Sequence, residues 1–304
     1  MITIAMTLKN SIKTLKDALQ GIKKLQYDKK RIKIVFVDGG STDGSLKILE
    51  EFRDQNINEY SDIKVISGDY NITEGRNTCI RNAEGDFILF IDSDVVVPPD
   101  LLIELENLFS SNPKIAFVNV PCIVEKGKEG WVDKFYRSIG EPQGMSCAAL
   151  RISALKEVGP YFVGFPKGEN PNELIFRLKK RGYGYTVLKK EALHIKHKPR
   201  GFLDYLKYCF SASVIYHYQE IKSGSKYLIL KYLYYSALLG SLVLIPFLLL
   251  FFIPFLLLLM ILFILYLKRS HGNPYSLLAI IAGMVLPIGM LFLILKRIFK
   301  KSQF

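Results

Sequence analysis

Two carboxylates one residue apart, Asp92 and Asp94, follow the apolar run Phe87-Ile88-Leu89-Phe90-Ile91. An Ile/Phe-rich run of this length reads as a strand buried on both faces, the kind found inside a parallel sheet. In extended chain the side chains at i and i+2 point the same way, so the two carboxylates are expected to converge on one cation. Open α/β sheets bind their ligands just beyond the carboxyl ends of the strands, where this pair falls. A hard divalent ion held by one or two carboxylates and completed by phosphate oxygens suits a nucleoside diphosphate. A second strand end of this kind is Ile32–Val37 followed by Asp38-Gly39-Gly40-Ser41-Thr42-Asp43-Gly44. Its glycines free the backbone to turn tightly, and Asp38 is placed to accept hydrogen bonds from a base or ribose. In isolation either stretch could be an ordinary turn before a helix, so the surrounding elements decide.

Those elements alternate. Ile2–Met6 reads as a strand, and Ser11 as the cap of a helix whose apolar residues Ile12, Leu15, Leu19, Ile22 and Leu25 recur at helical spacing. After the Asp38 turn come a helix over Ser45–Phe52, a short strand over Ile63–Ile66, and a helix over Thr73–Ala83 carrying Arg76, Asn77 and Arg81. Strands alternating with helices predict a doubly wound α/β fold with a mostly parallel sheet.

In that order the chain presents Asp38-Gly-Gly-Ser-Thr-Asp43, Gly75-Arg76-Asn77, Ala83-Glu84-Gly85-Asp86 and Asp92-Ser93-Asp94. The series resembles the family 2 glycosyltransferases of the GT-A fold, over roughly the first two-thirds of the chain. The resemblance implies transfer of a hexose from a nucleotide-sugar donor. Thr7, Asp38, Arg76, Asp92 and Ser93 would contact the nucleotide, and Asp92 and Asp94 would hold Mg²⁺ or Mn²⁺ as the DxD motif. The family often carries Asp-Asp-Gly-Ser where this chain has Asp38-Gly39-Gly40-Ser41, which leaves Asp38 as the carboxylate beside the base.

Pro98-Pro99-Asp100 opens a helix through Phe109, and Ile115–Val120 reads as a strand. Lys126–Gly130 reads as an exposed loop, and Trp131–Tyr136 as an aromatic segment that packs. Met145–Arg151 reads as a further strand in which Ala148 and Ala149 would let a sugar approach, and Ser153–Val158 as a short helix. The stretch Gly168-Glu169-Asn170-Pro171-Asn172-Glu173-Leu174 is similar to the family segment that supplies a general base toward the acceptor hydroxyl. Asn170 stands where an Asp is common, and the spacing to Glu173-Leu174 is longer by one. Glu169 is therefore the first candidate base, with Glu173 second because a carboxylate in a first helical turn also favours the helix dipole. After a strand over Tyr183–Leu188, His194 and His197 are candidates to complete the metal site by the same resemblance, His194 ahead.

Composition changes sharply in the last third. No charged residue occurs from Tyr232 to Leu267 or from Ser270 to Leu295, and such runs are long enough to cross a bilayer. The net charge is +13, yet residues 192–304 hold 13 of the 41 Lys/Arg against only Asp204 and Glu220. The remainder is nearly neutral, which argues against nucleic acid as a partner and for membrane lipids near the basic flanks. Residues 1–200 are thus expected to form the catalytic domain and 201–226 an amphipathic interfacial helix. Residues 227–304 would supply transmembrane helices, a hairpin over about 228–267 and a last span over about 277–295, with one long kinked helix as the rival. Met1–Met6 lacks a basic n-region, so the catalytic part is expected on the cytoplasmic side of the cell membrane. The fused apolar region points to a lipid-linked (polyprenyl) or glycan acceptor. The chain has no Gln-x-x-Arg-Trp motif of the polymer-extruding synthases; its one Trp is Trp131. The four cysteines are scattered without a C-x-x-C, as reduced thiols are. A nucleotide-sugar-binding membrane protein without catalysis is the alternative reading.

Overall fold

The computed structural model describes residues 1–124, 145–160, 171–195, 233–234, 236–238 and 252–269. Two compact units divide the chain: Met1–Lys128 with Pro142–His197, and Glu129–Glu141 with Lys198–Phe304.

In the first unit the chain runs β1 (Ile2–Leu8), α1 (Leu15–Lys23), β2 (Ile32–Asp38), α2 (Ser45–Asn56), β3 (Asp62–Ser67), α3 (Ile72–Arg81) and β4 (Phe87–Ile91). It continues as β5 (Val95–Val96), α4 (Leu101–Ser111), β6 (Ile115–Asn119), β7 (Cys122–Val124), β8 (Cys147–Arg151), α5 (Ile152–Val158), α6 (Pro171–Lys180), β9 (Gly184–Val187) and β10 (Ala192–His194). A seven-stranded sheet has the order β3-β2-β1-β4-β8-β6-β9. All its pairings are parallel except those of β8, which runs antiparallel to both β4 and β6. Every residue of β2 and of β4 is buried; β4 is an uninterrupted apolar run, and in β2 the buried Lys33 is paired with Asp62 and Glu84. One core cluster joins the sheet to α1, α2 and α4, and the other joins its opposite face to α5 and α6.

Several local expectations are corrected. The first helix begins at Leu15, not at Ser11: the Ser11 carbonyl accepts from the Thr14 and Leu15 amides, and Ile12 is exposed. Gly44, at φ 94°, takes the N-cap position of α2, and Asp43 supplies the capping acceptor to the Ser45 amide. Ala148 and Ala149 are wholly buried between β4 and β6, so they pack the sheet and leave no room for a sugar beside them. A three-stranded sheet, β5-β10-β7, was not anticipated; its strands are only two or three residues long, too short to show a period.

In the second unit α7 spans Phe252–Arg269, and residues 233–234 and 236–238 are helical. Leu238 and Leu262 are buried together, and the Tyr234 hydroxyl donates to the Leu258 carbonyl. Leu256, Leu257, Met260, Ile264 and Leu265 of α7 are exposed. Among the described residues no helix is long and apolar enough to cross a membrane. The expected loop and aromatic segment over 126–136, the interfacial helix over 201–226 and the span over 277–295 lie outside the described residues.

Candidate active site

Three turns meet at the carboxyl ends of β1, β2 and β4. The turn after β2 is held by its own aspartate. Asp38 is fully buried, and its Oδ2 accepts from the Gly40 amide (3.1 Å), the Ser41 amide (3.0 Å) and the Ser67 hydroxyl (3.0 Å). Its Oδ1 is buried without a hydrogen-bond partner among the described residues, an acceptor in want of a donor. Gly40 sits at φ 80°, a conformation that favours glycine. At Gly39 a Cβ would lie 2.7 Å from the Tyr70 carbonyl oxygen, so the backbone of the β3–α3 loop leaves no room for a side chain there.

The turn after β4 is held differently. Asp92 to Val95 is not extended chain: the Val95 amide donates to the Asp92 carbonyl (3.1 Å), closing a tight turn. The expected alternation of an extended strand is thereby lost, and the two carboxylates meet different elements. Arg76, buried on α3, donates to Asp92 Oδ1 at 2.8 Å. Asp94 Oδ2 lies 3.6 Å from His194 Nε2, brought in by β10, and the Ile195 amide donates to the Asp94 carbonyl (2.8 Å). The Asp92 amide is tied to the Ser146 carbonyl (2.8 Å).

Arg76 reaches this point because α3 lies very close to β1. A Cβ on Gly75 would fall 2.3 Å from Thr7 Cγ2, so glycine there lets the helix approach the strand end. The N-terminus of α3 is fixed by a capping box in which Asn71 accepts from the Glu74 amide and Glu74 accepts from the Asn71 amide. On the other side, Lys190 bonds Asp100 and lies 2.6 Å from Glu104, fastening the start of β10 to α4. Cys122 lies behind the turn; burial pushes its thiol up to about 12, and the negative charges of Asp92 and Asp94 add to the shift, so it stays protonated and unreactive.

Of the sequence candidates, Thr7, Asp38, Arg76, Asp92, Ser93, Asp94 and His194 therefore gather at one edge of the sheet. Arg76 faces Asp92, a contact that strand-and-helix periodicity does not reveal. Glu173 lies in the first turn of α6, the helix that Pro171 begins; Glu169 and His197 lie outside the described residues. Asn10 and Ser11, polar residues directly after β1, also belong to this edge and were missed because Ser11 reads so readily as a helix cap.

Among the described residues no group of three or more His, Cys, Asp or Glu side chains is gathered closely enough to hold a metal ion unaided. Asp94 and His194 are nonetheless hard-oxygen and imidazole donors side by side, a set that Mg²⁺ or Mn²⁺ accepts when phosphate oxygens and water supply the remainder.

Residues 3–166 match the family described as Glycosyl transferase family 2, which is more than half of the chain. The chain belongs to glycosyl transferase family 2. It is 33% identical over 93 residues to the poly(ribitol-phosphate) beta-N-acetylglucosaminyltransferase TarS of Staphylococcus aureus, covering 31% of this chain and 16% of TarS. It is 28% identical over 110 residues to the poly-beta-1,6-N-acetyl-D-glucosamine synthase of Staphylococcus epidermidis, covering 36% of this chain and 25% of that protein. The matched segments thus span only a quarter or less of these relatives. Among solved structures, the mannosyltransferase PcManGT of Pyrobaculum calidifontis, in complex with GDP-Man and Mn²⁺, superposes with a TM-score of 0.58 at 16% identity, over 73% of this chain and 63% of that one. TarS residues 1–349 in complex with UDP-GlcNAc superpose with a TM-score of 0.52 at 19% identity, over 70% and 65%. These likenesses establish the GT-A-like α/β fold with its mostly parallel sheet.

Proposed function

We propose that the chain is an inverting glycosyltransferase moving a hexose from a nucleotide-sugar donor to a lipid-linked or glycan acceptor at the cytoplasmic face of a membrane. The observation that carries this reading is the turn after β4, where Arg76 holds Asp92 and His194 stands beside Asp94. Donor use is supported by the family and by relatives solved with UDP-GlcNAc and with GDP-Man. Asp38 Oδ1 would accept from the base or ribose, and Thr7 and Ser93 line the same edge. Asp94 and His194, with Asp92, would hold Mg²⁺ or Mn²⁺, which when bound supplies positive charge against the departing diphosphate. Glu169 would remove the proton from the acceptor hydroxyl as its oxygen bonds to the anomeric carbon and the bond to the diphosphate breaks. One displacement of this kind inverts the anomeric centre. His197 and Glu173 are reserve candidates for the ligand and the base.

Membrane attachment is supported by the uncharged runs of the last third and by the exposed leucines of α7. The Tyr234–Leu258 contact favours a hairpin over one long helix, which would hold those residues roughly 36 Å apart at 1.5 Å per residue. The test is turnover of a panel of radiolabelled nucleotide sugars by the full chain with membrane lipid extracts, with and without EDTA. Label passing into the lipid fraction, and stopping in EDTA, is the expected result. Donor binding without transfer to any lipid or glycan would overturn the reading in favour of a binding protein.

A further inference from the structure

The turn after β1 is the least conspicuous of the three, yet it touches both others. Asn10 is the sole non-glycine residue at positive φ (55°) among the described residues. That conformation turns its amide to the Ser41 hydroxyl (2.8 Å) while its Oδ1 accepts from the Thr42 amide (2.9 Å). One residue on, the Ser11 amide donates to the Ser45 hydroxyl (2.9 Å), and the Ile12 amide to Asp43 Oδ2 (2.9 Å). The Ser45 hydroxyl in turn donates to Asp43 Oδ1 (2.6 Å). Residues 10–12 are thereby fastened to the turn after β2 at four points, three through backbone amides and one through the Asn10 side chain. The Ser11 side chain faces the other way, and its hydroxyl accepts from the Ser93 hydroxyl at 2.8 Å, across 82 residues of sequence. Ser93 is the central residue of Asp92-Ser93-Asp94.

We infer that Ser11 is a positioning residue, which sets the Asp92-Ser93-Asp94 turn in register with the nucleotide-side turn after β2. Among the described residues, the main chain of this turn is tied to other elements at its ends, Asp92 to Ser146 and Asp94 to Ile195. Between those ties the Ser11–Ser93 bond is what joins its tip to the sheet edge that carries Asp38. A donor must span that distance, its nucleoside against one turn and its diphosphate against the other. A fixed separation lowers the ordering needed when both are engaged. Ser11 itself need touch neither donor nor metal. Any constraint it provides is felt only by ligands that contact both turns.

The inference rests on the reading above, and its test separates the two. Binding of Mn²⁺ with UDP, and of Mn²⁺ with GDP, is measured by calorimetry on the full chain in detergent, for the natural sequence, Ser11→Ala and Ser11→Thr. Uridine or guanosine alone, which reaches the β2 side only, serves as the internal comparison. The natural chain is expected to bind one diphosphate with Mn²⁺. Ser11→Ala should weaken that by about five- to tenfold, the scale of one lost hydrogen bond, while the nucleoside changes less than twofold. Ser11→Thr, which keeps a hydroxyl, should recover most of the loss. Equal diphosphate binding by the natural chain and Ser11→Ala overturns the positioning role and leaves the glycosyltransferase reading standing. Equal weakening of nucleoside and diphosphate overturns it too, since that reports general loosening of the fold. If the natural chain binds neither diphosphate with Mn²⁺, the donor reading falls and the inference with it. Should Ser11→Ala fail to fold, Ser11→Thr against Ser11→Cys gives the same comparison with and without a strong hydroxyl bond.

Discussion

The turns after β2 and β4 lie on either side of β1, and both place a buried or half-buried aspartate at a strand end, but they are held by different means. Asp38 is held through its Oδ2 by its own neighbourhood: two amides within three residues and one hydroxyl from the adjacent strand. Asp92 and Asp94 are held from afar, by Arg76 of α3 and by His194 of β10. A self-held carboxylate is part of the fold before any ligand arrives. A carboxylate held by distant elements reports whether those elements are docked.

The largest effect is expected where the holding is least local. Asp94→Ala should lower kcat/KM by about 10³-fold while the melting temperature of the first unit changes little, since Asp94 is partly exposed and a metal contribution of several kcal/mol would be lost. Asp92→Ala should lose activity and stability together, because it removes an anionic partner from a buried guanidinium. Asp38→Ala should reverse the emphasis. Three hydrogen bonds vanish from a buried loop, and unfolding by urea should show a loss of about 2–3 kcal/mol. If Asp38→Ala folds as stably as the natural chain, the distinction between self-held and distantly held turns is wrong.

Gly75→Ala tests the link between the two sides. Its Cβ would press on Thr7, so α3 must move outward and carry Arg76 with it. Overpacking of this kind costs about 1–3 kcal/mol, and Asp92-dependent activity should fall further than the stability loss alone explains. The smallest effect concerns acid. Burial works to raise the Asp43 pKa, but hydrogen bonds from the Ser45 hydroxyl and from the Ile12 and Ser45 amides outweigh it, and the net shift is downward. Its contribution is present above the unfolded carboxylate pKa of about 4 and is lost as pH falls through the lower folded value. Asp43→Asn should therefore lower stability slightly at neutral pH and flatten the profile below about pH 4, where the two chains converge, as thermal melts across that range would show.

How much of this was legible follows the same division. The strands β1, β2 and β4 were readable because short, mostly apolar runs rich in Ile, Val and Phe have few alternatives, and α1 was readable from the helical spacing of Leu15, Leu19 and Ile22. The Asp38 turn was readable because two of its three bonds lie within three residues. The Asp92–Asp94 turn was misread as extended chain, since its shape depends on pairing Val95–Val96 with β10, a hundred residues away. Ser11 was misread for the complementary reason: a serine before an apolar periodic stretch fits a helix cap, and its bond to Ser93 leaves no local trace. Ala148 and Ala149 were assigned to the sugar because small residues suit a cleft as well as they suit a tight sheet interior.

The antiparallel strand β8 also has a consequence for the order in which the chain can be built. β4 and β6 are made first, but neither pairs with the other; both must wait for residues 147–151 to arrive between them. During synthesis the sheet β3-β2-β1-β4 can assemble from the first 91 residues, leaving a wholly apolar β4 edge without a neighbour. A nascent chain of about 120 residues is thus at its most adhesive, and completion of β8 closes that period. Fragments ending at residue 146 should precipitate on release, whereas fragments extended through residue 160 should stay in solution longer, a difference that sedimentation of truncated translation products would measure.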